Sequence, residues 1–197
     1  NIQKDEKKYK GKLPLGGMHN IKNALAAIAA AEKHGISIEN ALQALATFPG
    51  VKRRFQVITG GVDWSYIDDY AHHPSEVSAL IHGLRSMQPS WPIAVIFQPH
   101  LYSRTQALAE QFGEALSAAD QVILLPIYPA REEPILGVES DLIAGNVSVP
   151  CRTILHSKEE VLSLLDTLDK GFIVSAGAGD ISSLIPEIQK KLELIYG

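Results

Sequence analysis

A Rossmann-like α/β fold, a mainly parallel sheet with helices on both faces, is the class this sequence predicts for most of its length. Two observations carry it. From Phe55 onward, short Val/Ile-rich runs alternate with longer amphipathic stretches, and that strand–helix–strand spacing suits parallel strands joined by right-handed crossovers. The runs also end in polar clusters followed by helix-start residues, above all Ile67-Asp-Asp-Tyr-Ala-His-His-Pro74, where open α/β sheets gather their ligands.

In chain order, Asn20 is placed to cap a helix from Ile21 to about Lys33, with Ala24, Leu25, Ile28 and Ala29 on one face and Gly35 as its stop. A second helix is expected from Ser37 to about Thr47. Phe48-Pro-Gly-Val51 then breaks the helical pattern and sets a domain boundary near Pro49–Val51. Residues 1–50 are thereby separated from an α/β domain of residues 51–197. Strands are expected at about Phe55–Thr59, Asp63–Asp69, Ile93–Phe97, Gln121–Leu125, Arg152–Leu155 and Phe172–Ser175. The first two flank Gly60-Gly61 and read as a hairpin, hence one antiparallel pair. Helices are expected at Pro74–Met87, Arg104–Ser117, Val138–Ala144, Lys158–Leu168 and Ile181–Ile195.

Composition narrows the function. The chain has 197 residues, 46% hydrophobic and 20% charged, which supports a sizeable core and excludes disordered and collagen-like readings. A formal charge of -4 supplies no basic field for nucleic acid. Lys4, Lys7, Lys8, Lys10 and Lys12 form a basic run interleaved with Asp5 and Glu6, as a solvated segment would be. Cys151 is the single cysteine, which excludes an internal disulfide and suits a reducing compartment. No apolar stretch approaches the roughly 20 residues that span a bilayer. A cytoplasmic protein is expected, with no membrane partner. The chain starts with Asn1 and enters structure at once, as a piece of a longer protein would.

Several segments carry chemistry. Gly177-x-Gly179-x-x-Ser182 resembles a dinucleotide fingerprint, but the third glycine and the following ribose-binding strand are missing, so a tight turn is the better reading. Asp68, Asp69, His72 and His73 have metal-ligand chemistry; adjacent strand residues point to opposite faces, so at most one Asp and one His converge. No metal site is therefore assigned. Arg104, at a helix start where the dipole disfavours a cation, presents a planar fork suited to a carboxylate or phosphate. Lys52, Arg53 and Arg54 offer cations beside the domain junction, either as a polyphosphate clamp or as a basic surface turn. His19, Asn20 and Asn23 open the first helix, where exposed N–H groups and amide side chains can hold a polar ligand. Proline stiffens the loop Pro126-Ile-Tyr-Pro-Ala-Arg131-Glu-Glu-Pro134.

Taken together, His19-Asn-Ile-Lys-Asn-Ala-Leu-Ala-Ala27, Gly50-Val-Lys-Arg-Arg-Phe55, Asp68-Asp-Tyr-Ala-His-His-Pro-Ser-Glu76, Phe97-Gln-Pro-His-Leu-Tyr-Ser-Arg-Thr105 and Pro126–Pro134 resemble the Mur ligases of bacterial peptidoglycan synthesis. The resemblance runs from about Gly16 to Ser182. Within the family, the branch that uses UDP-N-acetylmuramate and L-alanine fits better than the one that recycles murein tripeptide, on the Phe97–Thr105 and Pro126–Pro134 segments.

The resemblance implies a three-domain enzyme using ATP and Mg2+, of which this chain holds the last helices of the central ATPase domain and the whole C-terminal domain. The family's P-loop, Gly-x-x-Gly-Lys-Thr/Ser, has no match here, and the UDP-binding and metal-binding residues lie in the missing N-terminal and central domains. It further implies that ATP phosphorylates the muramate carboxylate, the alanine amine attacks the acyl phosphate, and phosphate leaves. By analogy Asn20 and Asn23, with His19 beside them, belong to the adenine region, Arg54 to the phosphates and Asp69 to the ribose. Tyr70, His72 and Arg104 then face the substrate carboxylate and incoming alanine. Some members carry a second arginine where this sequence has Leu101. Two other readings compete: a non-catalytic nucleotide or amino-acid binding module, and a metal hydrolase built on the Asp-His cluster.

Overall fold

The computed structural model describes residues 1–4, 6–14, 18–149 and 151–197, with the side chains of Met18, His19, Cys151 and Arg152 outside the description. It divides into two compact units, Asn1–Val51 and Lys52–Gly197.

In the first unit the basic run is part of a small antiparallel hairpin, β1 (Ile2–Lys4) with β2 (Lys7–Tyr9). Ile2 and Tyr9, paired across the hairpin, are partly buried and the lysines exposed; Ile2 and Tyr9 pack on the cluster of Ile28, Ile38 and Ala41. Helix α1 (Met18–Lys33) begins earlier than expected, so Asn20 lies inside it and does not cap it. Helix α2 (Ile38–Ala46) is capped by Ser37, whose hydroxyl accepts from the Asn40 amide at 3.2 Å.

The second unit is a six-stranded sheet in the order β3-β4-β8-β5-β6-β7. The strands are β3 (Gln56–Gly60), β4 (Ser65–Asp69), β5 (Ile93–Phe97), β6 (Gln121–Leu124), β7 (Cys151–Ile154) and β8 (Phe172–Ala176). Only β3 runs antiparallel, with the chain turning through residues 61–64 and a register shift between Val57 and Thr59. The other neighbours are parallel.

Burial follows strand periodicity. Val95 and Phe97 of β5 join one core cluster, Ala94 and Ile96 the other. The first face is covered by α3 (Pro74–Met87), α4 (Tyr102–Leu116) and α5 (Asp141–Ala144); the second by α6 (Val161–Leu164) and α7 (Ile185–Tyr196). Helix α3 shows why: Val77, Leu80, Ile81 and Leu84 recur at helical spacing and are all buried, each worth roughly 1.5–3 kcal/mol of apolar burial. Gly113 inside α4 lets the chain at Asn146 approach, since a Cβ there would lie 2.3 Å from Asn146 Cβ.

Three expected helices are shorter than their apolar patterns. Only Asp141–Ala144 of Val138–Ala144 is helical, while Lys158–Leu168 resolves into α6 and a 3-10 turn, and Ile181–Ile195 into a 3-10 segment and α7. Pro186 explains the last case, because its ring favours a helix start over a helix interior.

Candidate active site

Strands β4, β5, β6 and β8 all release the chain at one edge of the sheet, and β3, being antiparallel to β4, starts there. That edge collects the chemistry-bearing segments. Strand β8 sits between β4 and β5; its exit leads to α7 on the second face, while theirs lead to α3 and α4 on the first, the divergence beside which such sheets bind ligands.

The paired aspartates do internal work. Asp68 is fully buried; Oδ1 accepts from the Ser175 hydroxyl at 2.7 Å and Oδ2 from Arg53 Nε at 3.1 Å. Burial pushes its carboxyl above the ordinary value, against the pull of Ser175 and Arg53. Asp69, only 9% exposed, accepts from the Phe55 amide at 2.6 Å through Oδ2 and from the Ala71 amide at 2.7 Å through Oδ1. A carboxylate with two backbone donors is a loop clamp before it is anything else.

The three cations at the start of the unit have separate fates. Arg53 is drawn inward onto Asp68 and the carbonyls of Gly177 and Gly179. Lys52 and Arg54 are exposed, and Arg54 lies over the Tyr70 ring at 5.6 Å, with no carboxylate partner among the described residues. A clamp of three cations therefore reduces to Arg54 as the outward guanidinium.

From Tyr70 a chain of rings crosses the edge. His72 meets Tyr70 edge-on at 5.1 Å, His100 follows at 6.1 Å, and His100 stacks on Tyr128 at 5.6 Å. His72 Nδ1 lies 2.9 Å from the Tyr70 carbonyl, and the His72 amide donates to Glu76, which caps α3. Half-buried Arg104 donates to the His72 carbonyl at 3.4 Å and has no carboxylate partner among the described residues. The nearby Glu132 is held by the amide and hydroxyl of Ser103, a carboxylate on the first turn of α4 that the helix dipole favours. Tyr70, His72 and Arg104 are thus brought together.

Positive φ angles mark the same edge. Among the described non-glycine residues they occur at Arg53, Phe55, Leu101 and Ala130, and strain of this kind persists where surrounding contacts over-determine the backbone.

His100 and Tyr128 are site residues that the sequence reading quoted inside motifs but did not single out. His100 Nδ1 is buried with no hydrogen-bond partner. Burial, with the charges of Arg104 and His72, pushes its pKa down, opposed by Glu132. The ring is therefore expected to titrate below the usual value of about 6.5, to be read by NMR. Because the folded pKa lies below the unfolded one, His100 costs stability as pH falls through about 6.5 toward the folded value. A midpoint at or above the usual value would contradict this environment.

The glycine turn after β8 is packed. A Cβ on Gly179 would lie 2.4 Å from Gln98 Oε1 and 2.6 Å from Tyr128 Cβ, and Gly177 has φ +148. Gln98 spans the turn, donating to Asp180 and accepting from the Ile181 amide. Partial burial would raise the Asp180 carboxyl, but its bonds to Lys158 and Gln98 outweigh this and hold it low.

Asn20 and Asn23 stand one turn apart on α1 in the first unit, Asn23 exposed and Asn20 half-buried; the His19 side chain lies outside the described residues. Among the described residues no group of three or more His, Cys, Asp or Glu is arranged to hold a metal ion, and no helix is long and apolar enough to cross a membrane.

A family profile described as "Mur ligase, glutamate ligase domain" matches residues 53–179. The UDP-N-acetylmuramate--L-alanine ligase of Flavobacterium psychrophilum is 43% identical over 182 residues, covering 92% of this chain and 40% of that protein. The solved UDP-N-acetylmuramate-alanine ligase of Thermotoga maritima superposes with a TM-score of 0.80 at 27% identity, over 98% of this chain and 42% of that one. The murein peptide ligase of Psychrobacter arcticus superposes with a TM-score of 0.63 at 26% identity, over 95% and 39%. The chain spans about two-fifths of the length of these relatives.

Proposed function

This chain belongs to the Mur ligase family, and on that premise we propose that it is the C-terminal part of an ATP-dependent ligase joining L-alanine to UDP-N-acetylmuramate through an acyl phosphate. The observation that carries the reading is the meeting of Arg54, Tyr70, His72 and Arg104, drawn from three loops, at one sheet edge. Two guanidiniums there, without carboxylate partners among the described residues, suit a reaction whose reactants are anionic and whose transition state is a charged phosphoryl group.

In this reading Arg54 holds the nucleotide phosphates and Asp69 faces the ribose, while His19, Asn20 and Asn23 serve the adenine. Tyr70 and His72 line the substrate carboxylate. Arg104 takes the carboxylate of the incoming amino acid as a bidentate fork. The described residues of this chain do not fit a magnesium site, since the edge carboxylates Asp68, Asp69, Glu76, Glu132 and Asp180 are each bonded to protein groups; the ion's ligands are assigned to the rest of the enzyme. Closure of the remaining domains over this edge would exclude water from the acyl phosphate, and the isolated chain is expected to be inactive.

The higher structural similarity to the alanine ligase than to the murein peptide ligase, TM-scores of 0.80 and 0.63, favours L-alanine. Purified full-length enzyme is expected to release phosphate only with ATP, UDP-N-acetylmuramate and L-alanine together. Release that requires murein tripeptide in place of L-alanine would move the chain to the recycling branch.

A further inference from the structure

Arg53 and Arg54 are neighbours with opposite placements, and the inward one is tied to an unusual number of partners. Its side chain donates to Asp68 Oδ2 at 3.1 Å, to the Gly177 carbonyl at 2.5 Å and to the Gly179 carbonyl at 3.4 Å. Its backbone amide donates to Gln56 Oε1 at 2.9 Å, and its carbonyl accepts from the Tyr70 amide at 2.7 Å. Its guanidinium also lies over the Tyr70 ring at 5.1 Å. One residue thus joins the entry to β3, the exit of β4 and the exit of β8.

The backbone explains the consequence for Arg54. Arg53 has φ 59 and Phe55 has φ 50, a left-handed conformation that L-residues adopt only when held there. Phe55 is held by Asp69 through its amide and by burial of its ring, and Arg53 by the contacts above. Arg54, between two pinned left-handed residues, is turned outward to the Tyr70 ring.

We propose that Arg53 is a positioning residue for nucleotide phosphate: through Asp68 and the Gly177–Gly179 carbonyls it sets where Arg54 and Tyr70 stand, without touching the substrate itself. The proposal rests on the assignment of Arg54 to the phosphates. A planar guanidinium can donate in several directions at once, whereas a lysine ammonium on a flexible stem reproduces the charge without the fork.

The test is steady-state kinetics of the full-length ligase carrying Arg53→Gln, Arg53→Lys or Arg54→Ala, with thermal midpoints measured alongside. Arg53→Gln is expected to raise KM for ATP about tenfold, the loss of one to two charge-assisted hydrogen bonds, with KM for L-alanine within about twofold; the thermal midpoint should fall as well, because buried Asp68 loses its charged partner, so the readout is the split between the two KM values on folded enzyme. Arg53→Lys should recover part of that loss by restoring charge near Asp68. If Arg53→Gln folds poorly, Arg53→Lys alone decides, since it should still raise KM for ATP measurably. An unchanged KM for ATP in both variants overturns the proposal, as does a loss confined to the fraction of folded enzyme. Arg54→Ala separates the two layers: if it leaves KM for ATP untouched, the phosphate assignment fails, whatever Arg53 does.

Discussion

Replacing Arg104 by alanine in the full-length ligase is expected to lower kcat/KM for L-alanine about 100-fold, as loss of a bidentate charge-assisted contact of about 3 kcal/mol would do. KM for ATP should stay within about twofold, a limit set by assigning the nucleotide phosphates to Arg54 and not Arg104. The size of the effect follows from the surroundings. Arg104 stands in the first turn of α4, donates only weakly to the His72 carbonyl at 3.4 Å and has no carboxylate partner among the described residues, so its charge is left for a ligand. Leu101, which precedes α4, carries no charge that could substitute for it. Arg104→Lys should recover part of the rate, because an ammonium keeps the charge and loses the fork. Alanine kinetics that do not change would remove Arg104 from the amino-acid site.

The second large effect is on stability. Asp69→Ala is expected to destabilise the α/β unit by about 3 kcal/mol, since it strips the acceptors from two backbone amides at about 1–3 kcal/mol each. The Phe55 and Ala71 amides would be left unpaired beside buried side chains. Urea unfolding of this chain, followed by the fluorescence of Trp64 and Trp91, reads the change directly; both tryptophans belong to the second unit and pack on its cores. Asp69→Asn keeps one carbonyl acceptor and should lose about half as much. A shift below about 0.5 kcal/mol, the scale of an ordinary surface substitution, would show that the clamp is dispensable. This measurement is independent of any nucleotide, so it separates the structural work of Asp69 from the ribose contact proposed for it.

Much of the fold was legible along the chain because its signals are local. Ile93–Phe97 and Pro74–Met87 were expected with the bounds they have: one is an apolar run buried on both faces, the other a proline-led amphipathic helix with a capping glutamate. The hairpin β1–β2 was not legible, because three-residue strands rich in lysine carry almost no apolar alternation. The start of α1 was misread at Asn20, a residue with good capping chemistry that here lies inside the helix.

The site divides in the same way. Composition and spacing picked out segments rich in Asp, His, Tyr and Arg at strand exits, and the structure brings Tyr70, His72 and Arg104 of those segments together. What each side chain faces was decided by the tertiary structure. Nothing in Lys52-Arg53-Arg54 tells which guanidinium turns inward; that depends on Asp68, on the Gly177 carbonyl more than a hundred residues later, and on two left-handed backbone positions. Nor could the chain order place β8 between β4 and β5, the arrangement that brings Gly177–Gly179 to Arg53 and His100 to His72. The sequence alone determined the elements and their chemical inventory, because propensity and periodicity act over a few residues. Only the tertiary structure decided which charges are spent inside the protein and which remain outward, because that is set by partners distant in the chain.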